Sequence, residues 1–406
     1  TRWIIADEDD RVLFTFKQLS DGTQTATKLI GILILNSFTL SGRELSKLAV
    51  MSLLATAAFG VGGLVIILLM QFMTLQSYAS DAVDKHGIAE VQASRLGGVA
   101  LVSAVLMSLA LFIINGDKGS EAVSQVQDSW PIWFGAAGCF TLGLIEDLRN
   151  NSLSPRFRLI SKATVLAMVF LLAPELIPSS IGLPGVDWLL SIPFIAFVVC
   201  LFFSVGFINA VNTVDGANGL VIGIFVINCY IFTAEMDGIA LPAGLYGASL
   251  FLIFNVVSGR LFLGDAGAYA IGSAMLVTGL TAFSEGVVSL PFLAVLFFYP
   301  CVDFSVSLIR RRINGQSITA PDNDHLHNRV YVYFKSVFKS KNMANSVTGL
   351  SIALGSSGVA LAGYVGELIP ISSNLWIFVF LAQCGLYGLI FVTAGKPSNN
   401  SQQKRT

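Results

Sequence analysis

The chain has 406 residues, of which 54% are hydrophobic and only 12% charged, about half the charged share of a soluble domain. Its 24 basic and 25 acidic residues nearly cancel, which excludes a polybasic nucleic-acid binder and an acidic solvating chain. One soluble core cannot keep so much apolar surface from water, and the composition is that of an integral membrane protein.

Residues 1–47 differ from the rest. Trp3-Ile4-Ile5 and Val12-Leu13-Phe14 flank the acidic turn Asp7-Glu8-Asp9-Asp10, a hairpin pattern. Leu29 to Leu35 is apolar but too short to span, and the first residues show no basic-then-apolar leader. An appendage with no part in the chemistry is expected here. From residue 48 on, apolar runs near 48–72, 96–115, 130–145, 159–177, 188–208, 217–234, 239–258, 267–284, 286–308, 347–366 and 374–394 predict an all-α, polytopic membrane domain over 48–394. It would have about 11 transmembrane helices, since about 20 residues at 1.5 Å each cross a bilayer. A polar tail, 395–406, follows. Cys139, Cys200, Cys229, Cys301 and Cys384 all fall inside apolar runs, as small buried residues do.

Lys and Arg set the orientation. Seventeen lie on one face: in the loops after runs one, three, seven and nine, and in the tail. The opposite loops hold only Lys118. The odd-numbered loops and the C-terminal tail are therefore expected in the cytoplasm, with the active site facing it.

No charge is expected at the centre of a span, where transporters carry theirs. Polar residues gather instead at four loop mouths on the basic face. Glu146-Asp147 ends the third run; two adjacent carboxylates repel unless a cation sits with them, although a solvated helix end would also carry them. Asn209, Asn212 and Asp215 recur every three residues and share a helix face, and Gly216 and Gly219 admit a ligand close to the backbone; the alternative is a polar turn. Asp265, in Phe262-Leu-Gly-Asp265, opens the eighth run, where helix N–H groups favour phosphate; it could also be an N-cap. Pro321-Asp-Asn-Asp-His325-Leu-His327-Asn-Arg329 carries two of the chain's three His. Imidazole and guanidinium suit a pyrophosphate, and the alternative is an ordinary loop. Carboxylates without thiolates suit Mg²⁺ or Mn²⁺, and amides suit a nucleobase. Together the mouths point to metal-assisted phosphoryl transfer from a nucleotide to a lipid.

With these motifs in this order, the sequence from about Asp81 to Arg329 resembles the polyprenyl-phosphate N-acetylhexosamine-1-phosphate transferases, bacterial glycosyltransferase family 4. The resemblance implies transfer of a sugar 1-phosphate from a UDP-sugar, UDP-N-acetylglucosamine first, to undecaprenyl phosphate in the bacterial inner (plasma) membrane. UMP would be released, and O-antigen, lipopolysaccharide or another cell-wall polymer begun. It implies that Asp265 and Asp215 hold the Mg²⁺ (or Mn²⁺) and that Asn212 and Asp215 contact uridine. Phe262 would stack on uracil, with Asn255 supporting that pocket. His325 and His327 would contact the diphosphate, Glu146 and Asp147 would act on the lipid phosphate or position metal, and Arg95-Leu-Gly-Gly matches the loop after the first span. Asp303 matches a further acidic position. Catalysis would rest on Glu146, Asp147, Asp265 and His325. Substrate binding would rest on Arg95, Asn209, Asn212, Asp215, Asn255, Phe262, His327 and Arg329. The expected partners are the UDP-sugar, the undecaprenyl phosphate carrier and the bilayer, with a homodimer as a candidate and no nucleic acid. Where the family usually has Asp-Asp, a second Asp and a third His, this chain has Glu146-Asp147, Asn218 and Asn328. These departures favour a surface-polysaccharide branch over the UDP-N-acetylmuramoyl-pentapeptide enzyme and leave a deoxy-aminosugar donor open. A secondary transporter is the rival of another class; it would need mid-span ionisable residues and an inverted repeat.

Overall fold

A computed structural model describes residues 2–6, 12–17, 42–74, 80–81, 93–115, 119–149, 153–317 and 322–394. Contacts divide the chain into two units, Thr1–Val50 and Met51–Thr406, against the expected boundary after residue 47. In the first unit β1 (Arg2–Ala6) and β2 (Val12–Lys17) form an antiparallel hairpin, with Trp3 opposite Phe16 and Ile5 opposite Phe14. The acidic turn at its tip, the Leu29–Leu35 run and the polar tail lie outside the described residues.

The rest is helical, apart from the two-residue strands β3 (Ser80–Asp81) and β4 (Ala93–Ser94). In chain order come α1 (Gly42–Met73, kinked at Gly60), α2 (Gly97–Asn115), α3 (Gly119–Asp128), α4 (Trp130–Leu148) and α5 (Pro155–Leu172). Then follow α6 (Pro184–Leu190), α7 (Pro193–Val214), α8 (Leu220–Glu235), α9 (Ala240–Ser258) and α10 (Gly264–Ser284). The last are α11 (Leu290–Leu296), α12 (Phe298–Ile313), α13 (Leu326–Val337), α14 (Lys341–Gly355), α15 (Ser357–Val365) and α16 (Trp376–Thr393).

Each of the eleven apolar runs carries a helix or a bent helix pair. Six described helices are long and apolar enough to cross a membrane, or up to eight if each bent pair is one span. The other three are α4, α5 and α8. Glu146 and Asp147 lower the apolarity of α4, Arg156, Arg158 and Lys162 that of α5, and α8 has only 16 residues. The chain is a multi-pass membrane protein.

Helix α10 is the hub, packed on α4, α7 and α2. Its buried face carries Ala266, Gly267, Ala268, Ala270, Gly272 and Ser273, small residues that let backbones approach where apolar burial alone gives little drive. The approach is closest at Gly143 of α4, where an added Cβ would lie 2.3 Å from the Asp265 carbonyl oxygen. By contrast α16 is peripheral and presents Phe378, Leu381, Leu386, Leu389 and Val392 outward.

The two breaks are supported by side chains. α11 and α12 meet at 80° and α14 and α15 at 51°. Inside an apolar layer every freed carbonyl needs a donor. Ser357 Oγ donates to the Leu296 carbonyl (2.5 Å) and Gln383 Nε2 to the Ser356 carbonyl (3.0 Å). Each break is thus held by a polar group from another helix. The first turns α12 so that Asp303 and Arg310 lie beneath the His325 loop.

Candidate active site

Asp147 closes the end of α4 and receives the start of α10. Its Oδ1 accepts from the Asp265 N–H (3.1 Å) and its Oδ2 from the Ala266 N–H (2.9 Å). A carboxylate from one helix therefore caps the N-terminus of another, where the aligned peptide dipoles favour negative charge. The contact requires Gly264: its φ is +66°, and a Cβ there would lie 2.6 Å from Asp147 Oδ2. Glu146, about 100° further round the helix, turns the other way. It is wholly buried, accepts from the Leu153 N–H (3.2 Å) and pairs with Arg158 at 3.3 Å. The adjacent acids serve different elements: Asp147 the Asp265 helix, Glu146 the connection into α5.

Asp265, in the first turn of α10, is half-buried. Asp215, which caps the C-terminus of α7, is near enough to feel it: burial first, then the charges of Asp265 and Asp147, push the Asp215 carboxyl up to about 7. Three carboxylates thus converge without a thiolate. Among the described residues no group of three His, Cys, Asp or Glu could hold an ion unaided. Mg²⁺ is usually bound by one or two carboxylates together with substrate phosphates. The crowded charge and the oxygen-only donors of Asp265 and Asp215 fit such an ion.

A buried cation completes this side. Lys162 of α5 is 1% exposed, donates from Nζ to Asn209 Oδ1 (2.5 Å) and lies 4.0 Å over the Tyr269 ring. Lys162, counted above among the loop residues after the third run, lies instead within α5 and is buried, as Asp303 is within α12. An ionisable residue within an apolar helix was the available signal for Lys162. Asn209 is occupied by this lysine and by the Val205 carbonyl (2.8 Å). Asn212, one turn on, is half-buried.

Asn255 joins two motifs. Its Oδ1 accepts from the Gly219 N–H (2.7 Å) and its Nδ2 donates to the Leu261 carbonyl (2.8 Å). The Phe262 N–H donates to the Ser94 carbonyl (3.0 Å), which draws the Arg95 segment alongside while the Phe262 ring stays half-buried. Arg95 places its positive charge near Asp147.

The histidine loop is built differently. Asp322 takes bonds from Ser307 Oγ (2.5 Å), Arg310 and the Asp324 N–H (3.0 Å). Against the burial that would raise it, these hold its carboxyl down to about 2. His325 Nδ1 donates to Asp303 Oδ2 (2.6 Å). His327 is bonded twice to Tyr299: its N–H donates to the hydroxyl (3.0 Å), whose own proton then points to Nδ1 (2.9 Å). A Cβ on Gly216 would lie 2.4 Å from His327 Nε2, so this ring braces the Asp215 turn. Burial pushes the His327 imidazole down to about 4, which keeps it neutral.

Arg329, expected at the substrate, makes its hydrogen bonds within the protein. Nε and Nη2 donate to the two oxygens of Asp324 (2.7 and 2.9 Å), and Nη1 donates to the carbonyls of Phe391 (2.7 Å) and Ala394 (3.2 Å). The guanidinium also lies 3.8 Å over the Phe391 ring. Four of its five N–H groups are spent inside the protein, and it ties the histidine loop to the end of α16. Tyr299 and Tyr387 are the other residues sequence reading did not place; nothing local marks them, because their partners His327 and Asp303 are 28 and 84 residues away.

Residues 129–283, from α4 to the end of α10, match the family described as glycosyl transferase family 4. That match covers 155 of the 406 residues, and in that segment the chain is similar to the family. A probable undecaprenyl-phosphate N-acetylglucosaminyl 1-phosphate transferase of Bacillus subtilis is 23% identical over 339 residues, 80% of this chain and 87% of that protein. Phospho-N-acetylmuramoyl-pentapeptide-transferases are also similar. That of Staphylococcus saprophyticus is 24% identical over 62% of this chain and 81% of its own length, and that of Listeria welshimeri 26% over 47% and 61%.

Proposed function

We propose that this enzyme transfers an N-acetylhexosamine 1-phosphate, from UDP-N-acetylglucosamine in the first instance, to undecaprenyl phosphate, releasing UMP and starting a surface polysaccharide such as O-antigen. The observation that carries this reading is the convergence of Asp147, Asp215 and Asp265 at the N-terminus of α10, beside the buried Lys162. The likeness to the B. subtilis protein over most of both chains supports the donor and acceptor. The bond that forms joins a lipid-phosphate oxygen to the β-phosphorus; the bond that breaks releases UMP with the former bridging oxygen.

Asp265 and Asp215 would hold a divalent cation, which when bound neutralises charge on the diphosphate. Asp147 fixes the turn that carries Asp265. Lys162 adds positive charge where the phosphates crowd, and the half-buried Phe262 offers a ring face to the uracil. The basic loops support a site at the cytoplasmic face of the plasma membrane.

The test is transfer from a panel of labelled UDP-sugars to undecaprenyl phosphate in membranes holding the full chain, with Mg²⁺ or Mn²⁺ and the nucleotide product identified. Lipid-diphosphate sugar and UMP are expected, with UDP-N-acetylglucosamine the best donor. UDP as the product, or undiminished transfer in chelator, overturns the reading; a better deoxy-aminosugar donor changes the sugar alone.

A further inference from the structure

His325 and His327 are two residues apart, and their rings stack at 5.5 Å and 5°, yet they are held in opposite ways. The Tyr299 hydroxyl accepts from the His327 N–H and so turns its one proton toward His327 Nδ1. A neutral His327 therefore carries its proton on Nε2. His325 faces a carboxylate, which accepts only, so its Nδ1 must carry the proton and Nε2 is left on the opposite edge of the ring.

Asp303 can do this because it is itself held. It is 1% exposed, and its Oδ1 accepts from both the Leu326 N–H (3.0 Å) and the Tyr387 hydroxyl (2.8 Å), leaving Oδ2 to His325. Tyr387 comes from α16, whose end is fastened to the same loop by Arg329. The last helix thus reaches the histidine loop twice, once through a carboxylate and once through its own terminal carbonyls.

We propose that Asp303 and Tyr387 are positioning residues: they lock His325 with a proton on Nδ1 and aim Nε2 at the donor's diphosphate, to whose oxygens it donates when the ring carries its second proton. The role toward the diphosphate rests on the phosphotransfer reading above; the locked tautomer does not. A fixed ring holds its reactive nitrogen in one place without reorganisation at the moment of transfer, and partners that orient a histidine commonly change activity by about ten- to a hundredfold when removed.

The experiment uses the full chain in nanodiscs, labelled with ¹⁵N-histidine. Three histidines give three ring systems, assigned with His86→Gln and His327→Gln. His325 is expected to keep a protonated Nδ1 at every pH, whereas neutral His327 shows a bare Nδ1. In Tyr387→Phe, which keeps the ring, His325 should populate both tautomers, kcat should fall about tenfold, and KM for the UDP-sugar should stay within about twofold. Asp303→Asn should mix the tautomers more fully and cost about a hundredfold in kcat. A wild-type His325 with Nδ1 bare and Nε2 protonated overturns the proposal even if neither variant folds. So does Tyr387→Phe with His325 tautomer and kcat unchanged. A tautomer that shifts as expected in a protein that transfers no sugar phosphate overturns the phosphotransfer reading and leaves the locked His325 standing.

Discussion

The two halves of the site handle charge in contrasting ways. Around the start of α10, Asp265, Asp215 and Asp147 are crowded together, and the Asp215 carboxyl is driven up to about 7. In the histidine loop charges are matched: Asp322 with Arg310, Asp324 with Arg329, Asp303 with His325. The first half leaves its like charges crowded, as the proposed cation site would; the second pairs its charges within the protein. Buried like charges are costly unless something arrives to neutralise them, so crowding marks where a ligand sits. Buried charges that are fully paired mark what holds the ligand's surroundings in place.

The contrast is most sharply tested at Asp265. Asp265→Asn keeps the size and removes the charge from the crowded half; the rate should fall roughly a thousandfold or more, with little change in the melting temperature. A variant with near-normal turnover would break the contrast at its centre. Asp147→Asn removes the charged cap of α10 and should cost roughly a hundredfold in rate through a displaced Asp265. It should also cost about 2 kcal/mol of stability, since a carboxylate capping a helix N-terminus contributes on that order. Thermal unfolding measured beside initial rates separates the two effects.

Glu146 comes next. Its pair with Arg158 is 30% open to solvent on the arginine side, where water screens it in part. Glu146→Gln should lower the rate about tenfold, and Glu146→Asp, which keeps the charge, should retain substantial activity. Equal rates for Glu146→Gln and wild type would remove Glu146 from the site. A Glu146→Gln defect rescued between pH 6 and 9 would instead favour a proton-accepting role.

On the paired side, Arg329→Lys should leave KM for the UDP-sugar within about twofold while lowering the melting temperature by several degrees, because an ammonium cannot make the fork to Asp324 and both α16 carbonyls. A large rise in KM would return Arg329 to substrate binding. The smallest effect is expected at Asp322. Its folded pKa of about 2 lies below the unfolded value of about 3.9, so its contribution is present above pH 4 and lost as pH falls toward 2. The acid-induced drop in melting temperature over that window should be shallower in Asp322→Asn.

The apolar runs were legible because crossing a bilayer demands a length of apolar residues that no local ambiguity hides. The helices fall where those runs predict, and all twelve proposed site residues lie at or near the four mouths. The same runs say little about bends, since the 80° turn at Phe297 is made by backbone whose freed carbonyl is met from another helix.

The sequence by itself determined the membrane character, the charge asymmetry between loop faces and the four clusters of Asp, Asn and His, because each depends only on residue type and spacing along one chain. Tertiary structure alone decided which residues in those clusters turn toward ligand and which toward the protein. It parted Glu146 from Asp147 and spent Arg329 on Asp324 and α16. It also brought Lys162 to Asn209 and set Asp303 between His325 and Tyr387. Those outcomes depend on which helices are neighbours and which way each is rotated, and apolar helices in a bilayer leave both to small-residue packing and scattered polar bonds, which no single run of sequence records.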